Sequence, residues 1–385
     1  MRKLVVFSVL FMLLTSAAFT QGLTFSGNIQ SGLLLTLPDD KDNVIDPMLR
    51  FYNQGVGGNR LELNGAYTTA AGNAGGNFRL RATVSADNNS PSLAAAGILR
   101  AWFRPIDILL ISAGVHDNNS FATPGGLDYN GGVGSGLGLL VEAEPVSGLL
   151  FGFGLLPRTV STYLLEQTSF RFGVRYTLPD VVRIAANFAY NYAPAATSGM
   201  LIPEHNAFNA ALGADIYALK VAGISQIALD VLALRLDDFM TFGTLEIGEK
   251  IGWGIGDFSI GIRSIQRLPI RNDNDRSKFG LDMLFWTQYA NLLGILTPRL
   301  EVGFSLNGRL NTSTAGTEHR AWDGLQRAAA HDRFTGLDAP TAVIINPSVA
   351  FAIGGGTIAL GYSFMMQMVP EITRNVIYAT FNVGF

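Results

Sequence analysis

Arg79 and Arg81 stand two residues apart in a segment whose intervening residues, Phe78, Leu80, Ala82 and Val84, are apolar. Arg171 and Arg175 alternate in the same way with Phe170, Phe172, Val174 and Tyr176. Side chains of an extended chain alternate between its two faces, so the arginines share one wall and the apolar residues the other. Arg60, Arg100, Arg104, Arg183 and Arg263 hold the polar parity of their own segments, as do Glu62, Glu142, Asp215, Asp230, Glu246, Asp282 and Glu301. Fixed charges on a wetted wall attract, repel or orient ions and polar solutes. An unpaired ion in a low-dielectric interior is very costly, so this wall implies water beside it. The arginines are weighted to the early and middle segments and the acids to the later ones, which predicts a field across the space they enclose.

Covalent chemistry leaves no comparable signal. His116, His205, His319 and His331 are far apart and show no H-x-x-x-H or H-E-x-x-H spacing. There is neither a G-x-S-x-G nucleophile elbow nor a G-x-x-x-x-G-K-[ST] phosphate loop. The glycine run from Gly131 to Gly138 falls in a strand pattern, where Gly permits close approach of neighbouring backbone. We therefore expect no catalysis, no cofactor and no resident metal. A net charge of −3 gives no polyanion signal, so nucleic acid is not an expected partner.

The charged residues must be positioned by strands. Period-two alternation recurs in about 18 segments long enough to cross a bilayer at a tilt, with 16 the nearest alternative count. Connections alternate between short turns, such as Leu178-Pro179-Asp180 and Gly354-Gly355-Gly356, and long loops near 37–58, 117–131, 193–206, 267–277 and 311–341. Charged residues are 15% of the chain, below the usual ~25%. The stretch from Phe208 to Leu236 could pass for a membrane helix, but Asp215, Lys220 and Asp230 interrupt it. Each would cost about 2.5–3.5 kcal/mol at the centre of a spanning helix; two strands with those residues turned to water avoid the cost. Residues 1–20 read as an export signal: Arg2 and Lys3, the apolar run from Leu4 to Leu14, then small residues before a cleavage site between about Ala18 and Gln21. Residues 21–385 are then one domain.

The chain ends on an alternating strand with Ile377, Ala379, Phe381, Val383 and Phe385 on one face. An exposed strand edge needs a neighbour, and in lipid the only β solution is a closed barrel. The expected fold is an all-β, transmembrane, antiparallel up-and-down barrel. Alternation alone also fits a soluble sandwich; export signal, terminal phenylalanine and charged wall together favour the barrel. Tyr67, Phe103, Tyr176, Tyr190, Tyr192, Tyr289 and Tyr362 sit near strand ends, as interface girdles require. Glu249 departs from the pattern, sharing parity with Ile247, Ile251 and Trp253. A bulge that shifts the register would account for it, and so would a neighbouring subunit.

In its signal, its hairpins and its terminal Phe385, the chain resembles a Gram-negative outer-membrane porin. The resemblance implies a water-filled channel for passive diffusion of small polar solutes and ions, held in outer-membrane lipid and delivered by the barrel assembly machinery. It implies that Phe381, Val383 and Phe385 form the assembly signal and that the protein is a homotrimer. Porins fold a long loop after the fifth strand into the barrel. Here that loop is Asp117 to Gly131, with Pro124-Gly125-Gly126-Leu127-Asp128 similar to the Pro- and Gly-containing acidic tip, and shorter than in most general porins. By resemblance, Asp117 and Asp128 form the acidic side of a constriction and Arg79, Arg81 and Arg100 its basic side. The expected pore lining is Arg60, Arg79, Arg81, Arg100, Arg104, Arg171, Arg175, Arg183, Asp117, Asp128 and Glu301. A substrate-selective transporter barrel and a surface adhesin or structural barrel built on the 311–341 loop are the alternatives.

Overall fold

The computed structural model describes residues 22–37, 48–51, 60–84, 91–118, 120–124, 134–157, 168–193, 205–216, 224–237, 241–269, 279–306, 341–368 and 371–385. The export signal at 1–20, Asp128 and most of the long loops, including 307–340, lie outside the described residues.

Strands β1 (Leu23–Leu37), β2 (Met48–Phe51), β3 (Arg60–Thr68), β4 (Ala74–Val84), β5 (Pro91–Ile106) and β6 (Leu109–Asn118) open the chain. They are followed by β7 (Gly134–Val146), β8 (Leu149–Pro157), β9 (Thr168–Leu178), β10 (Val182–Ala193), β11 (His205–Ile216), β12 (Ile224–Asp237) and β13 (Thr241–Ile255). The last six are β14 (Phe258–Pro269), β15 (Gly280–Tyr289), β16 (Leu296–Leu306), β17 (Ala342–Ile353), β18 (Gly356–Met368) and β19 (Glu371–Gly384). Apart from β2 and β3, which both pair with β1 and not with each other, each pairs antiparallel with its sequence neighbours, in one sheet. β2 and β3 are two pieces of a single crossing: β2 pairs with Leu33–Thr36 of β1 and β3 with Leu23–Gln30. The barrel therefore has 18 crossings. The short β2, only four residues long, carries too few alternations to register as a strand in the sequence. Phe208–Ile216 and Ile224–Leu236 lie in β11 and β12, two paired strands rather than one helix; residues 217–223 lie outside the described residues.

β1 and β19 close the sheet, in register from Asn28↔Gly384 to Leu37↔Asn375. Gly27 and Phe385 extend the seam by exchanging two backbone hydrogen bonds of 2.9 Å. Closure leaves no row of unpaired N–H and C=O groups, which is what a hydrocarbon surround demands.

The two walls separate as the alternation requires. Leu99, Phe151, Phe172, Leu212, Leu229, Phe285, Leu360 and Phe381 project outward and are exposed. Their sequence neighbours Arg100, Gly152, Arg171, Ala211, Ala228, Leu284, Gly361 and Thr380 lie inward by register. So wide an apolar exterior would drive aggregation in water; in a bilayer it is the contact surface. Tyr67, Phe103, Tyr176, Tyr289 and Tyr362 are all exposed on this outer side. Among the described residues no helix is long and apolar enough to cross a membrane; the crossings are made by strands.

Candidate functional site

The site is the inner wall together with the segment that follows β6, the fifth crossing. Residues 120–124 fold inward against β7–β10. Three consecutive carbonyls of this segment are held by three side chains of the wall. Arg175 of β9 donates from Nη1 to Ser120 O at 3.1 Å. Asn187 of β10 donates from Nδ2 to Phe121 O at 3.0 Å. Arg183 of β10 donates from Nη2 to Ala122 O at 3.2 Å. The register places Arg175 directly opposite Ala185 and Asn187 opposite Gly173, so the three donors lie along one inner patch and match successive peptide units.

Phe121 supplies the apolar half of the attachment. It is fully buried and clusters with Leu140 of β7 and Leu150 of β8. Its ring lies on Gly152, where an added Cβ would collide with the ring carbons. Gly152 is thus required by a close approach, not by turn geometry. Thr123, also buried, follows it inward.

At the other end of the segment, Asp117 meets β4. Its Oδ2 lies 2.8 Å from Arg79 Nη1, a charge-assisted pair that spans β5. Arg79 also donates from Nε to Asn64 at 3.1 Å. One step along the same wall, Arg81 makes an ion pair with Glu62, directly opposite it in register. Arg100 donates to Asn77 at 3.3 Å, again across the strand pair that aligns them. Basic residues of β4 and β5 are therefore ordered by neighbours on adjacent strands.

Side-chain length then decides which charge reaches the lumen. In the Arg81–Glu62 pair the arginine side chain is 31% exposed and the glutamate 9%. In the Arg299–Glu301 pair the values are 30% and 6%. In these two pairs the short carboxylate lies against the wall and the longer guanidinium reaches past it; in the Arg79–Asp117 pair the carboxylate is the more exposed. Glu142, Asp215 and Asp282 are likewise buried.

On β15–β19, which adjoin the other end of the sheet through β1, acids are held by neutral donors as well as by Arg299. Ser305 donates to Asp282 at 2.5 Å. Asn346 donates from Nδ2 to Glu301 at 2.8 Å, and Tyr378 donates from its hydroxyl to Asn346 Oδ1 at 2.9 Å. This chain links β16, β17 and β19. Tyr378 crosses β18 over Gly361, where a Cβ would collide with its ring.

The sequence-predicted residues thus fall into distinct places. Arg79, Arg81, Arg100 and Asp117 come together on β4–β6. Arg175 and Arg183 hold the docked segment. Arg171 shares the inner face of β9, with Nε 3.4 Å from the Ser169 hydroxyl. Glu301 lies in the β16–β19 network, away from Asp117. Arg104 is exposed near the short β5–β6 turn, its backbone N–H bound to Asn73 O. Arg60 occupies β3 opposite Gln30 and Thr83; its side chain, like Asp128, is outside the described set. The sequence reading did not single out Phe121, Asn346 and Tyr378. Phe121 carried a signal, an aromatic in an otherwise polar and small-residue loop. Asn346 and Tyr378 had none beyond inward parity.

A closed barrel of 18 antiparallel crossings has the architecture of outer-membrane porins. Among solved structures, OpdL of Pseudomonas aeruginosa superposes with a TM-score of 0.56, covering 94% of this chain and 98% of that chain at 11% identity. OccK5 (OpdH) of the same organism gives 0.55, with 94% and 98% coverage at 10% identity. OmpF of Salmonella typhi, in complex with daunomycin, gives 0.50, with 95% and 98% coverage at 11% identity. At such identity the likeness is one of fold. No family model matches the chain, and no curated protein matches its sequence.

Proposed function

We propose that this protein is an outer-membrane porin, a water-filled channel for passive diffusion of small polar solutes and ions, with an arginine-rich lumen that favours anions. About 18 crossings leave an aqueous channel instead of a filled interior. The observation that carries the reading is the segment 120–124, fastened to the inner wall by Arg175, Arg183 and Asn187. A segment so held narrows the lumen without sealing it by a separate domain. The guanidinium of Arg81 stands above its carboxylate partner, so a solute passing there meets positive charge first, while Asp117 is the more exposed partner of Arg79. Export by cleavage of residues 1–20 and delivery by the barrel assembly machinery, reading Phe381, Val383 and Phe385, belong to the same reading. No catalytic step does.

The test is single-channel recording of purified protein in planar bilayers under a salt gradient. Discrete conductance steps with a reversal potential on the anion-selective side are expected. Replacing Arg79, Arg81 and Arg100 together by Ala should move the reversal potential toward zero or past it. Silent bilayers with correctly folded protein would refute the channel; an unmoved reversal potential would remove these arginines from the constriction.

A further inference from the structure

Between β7 and β10 the outer wall is hollowed. A cavity of about 530 Å³ opens there toward the hydrocarbon, within the usual size range of a ligand pocket. Two ranks of outward residues frame it. In the upper rank Val141 pairs with Phe153, Phe153 with Phe172 and Phe172 with Phe188. In the lower rank Ala143 pairs with Phe151, Phe151 with Val174 and Val174 with Ala186. Phe151 and Phe172 are exposed, and the rings of Phe153 and Phe172 lie tilted at a centroid distance of 5.1 Å. Ala143, Val174 and Ala186 are too short to reach the level of those rings, so the lower rank leaves a trough beside the upper. Gly152 and Gly173, directly opposite each other, contribute backbone to it.

Depth and lining together name the occupant. Val174 and Ala186 each stand four residues from the short turn between Leu178 and Val182, and Phe172 and Phe188 six. At the usual rise and tilt these are about 10 and about 15 Å up a band about 25 Å tall. The hollow therefore lies chiefly in the leaflet nearest the short turns, which in barrels of this kind face the periplasm. One rank nearer the turn, Tyr176 pairs with Leu149 and Ile184 and is exposed. There its amphipathic ring sits at headgroup level, with a hydroxyl to donate to an ester carbonyl. Asn187, the one polar residue at the hollow, turns its carboxamide inward to Phe121. An occupant held here is apolar along its length and polar only at the end beside Tyr176.

We infer, on the membrane-spanning reading above, that the hollow is a binding site for one acyl chain of a glycerophospholipid in the periplasmic leaflet, its ester end at Tyr176. Dispersion attraction grows with the number of atoms in contact. A chain against a flat wall touches it on one side, whereas a chain in the trough meets the aromatic rings of the upper rank, Phe151 and the backbone beneath. It should therefore stay on the protein when the surrounding lipid is exchanged. A second barrel would bring a convex wall, which bridges the rims of a concave hollow without filling it, and an unfilled hollow forfeits those contacts. A flexible chain fills it.

Ala186→Trp fills the trough. Leu360→Trp places the same ring at matching depth on the outer face of β18, four residues from Gly356. Parent and variants are extracted from membranes in mild detergent and weighed intact by native mass spectrometry. The parent should carry one glycerophospholipid per chain, Leu360→Trp the same, and Ala186→Trp several-fold less. A parent without lipid, or equal retention in the two variants, overturns the proposal. A retained molecule with the mass of a lipopolysaccharide belongs to the other leaflet and overturns it too. So does loss of an oligomer in Ala186→Trp with no lipid released, which would give the hollow to a neighbouring copy. If Ala186→Trp does not assemble, Val174→Phe is scored by the same criteria. Flotation with liposomes is measured in parallel. Protein that floats but keeps no lipid fails this proposal alone; folded protein that never enters liposomes overturns the membrane-spanning reading itself.

Discussion

The inner wall treats its carboxylates differently on its two sides. On β3–β6, Glu62 and Asp117 are held by arginines, Arg81 and Arg79. On β15–β19, Asp282 and Glu301 are held chiefly by Ser305 and Asn346, with Tyr378 behind them and Arg299 alongside. A guanidinium that satisfies a carboxylate has further N–H groups and a long stem, so positive charge extends into the lumen. A serine or carboxamide satisfies the same lone pairs and ends at the wall. The first side is an electrostatic surface, and the second ties strands together. Charge counts already set the two regions apart, arginines early and acids late; the choice of partner adds to the difference.

The β7–β10 patch belongs with the first side, because its arginines also work through their heads, here on backbone carbonyls. The largest effect should come from unfastening it. Hydrogen bonds to charged groups contribute about 1.5–3 kcal/mol each. The double variant Arg175→Ala, Arg183→Ala should therefore release residues 120–124 from the wall. Single-channel conductance should rise or become noisy between levels, with the barrel intact by circular dichroism. Conductance and noise identical to the parent would mean the segment does not narrow the path.

Gly152→Ala attacks the same attachment from the wall. The new Cβ would collide with the Phe121 ring, and backbone on a central strand cannot yield as a flexible side chain does. The ring must leave, so Gly152→Ala alone should resemble the released segment. Adding Phe121→Ala removes the collision, and the double variant should then behave like Phe121→Ala alone. Independent, additive effects on conductance would separate Gly152 from the docked segment.

Much of this could be read from the chain, and the reasons differ by level. Period-two patterning reports which face a residue takes, so the walls, the closure at Phe385 and the crossing count followed from Phe78-Arg79-Leu80-Arg81 and its analogues. β2 escaped because four residues carry no period. Face does not give register, however, and partners are a matter of register. Glu62 meets Arg81 because the β3–β4 hairpin sets them opposite, and Glu301 meets Asn346 because β16 and β17 align although more than thirty residues of sequence separate the two strands. The docking of residues 120–124 was harder still, since it joins residues up to 66 apart in sequence. The parity of Glu249 was visible at once; that no bulge explains it needed the pairing of both flanking strands, which runs unbroken past that residue.

The second side of the wall should respond in stability and scarcely in selectivity. Asn346→Ala removes the carboxamide donor to the buried Glu301 and leaves it the Arg299 pair, a loss of about 1–3 kcal/mol. Tyr378→Phe removes only the hydroxyl behind it, about 0.5–1.5 kcal/mol. Both should lower the temperature at which the barrel loses its compact mobility in detergent gels, Asn346→Ala by more. Reversal potential should stay near that of the parent in each, because the affected groups end at the wall. Should Asn346→Ala instead shift selectivity as far as the triple arginine variant, Glu301 must reach the lumen once untied. The two sides would then differ in how tightly their charges are held, and no longer in kind.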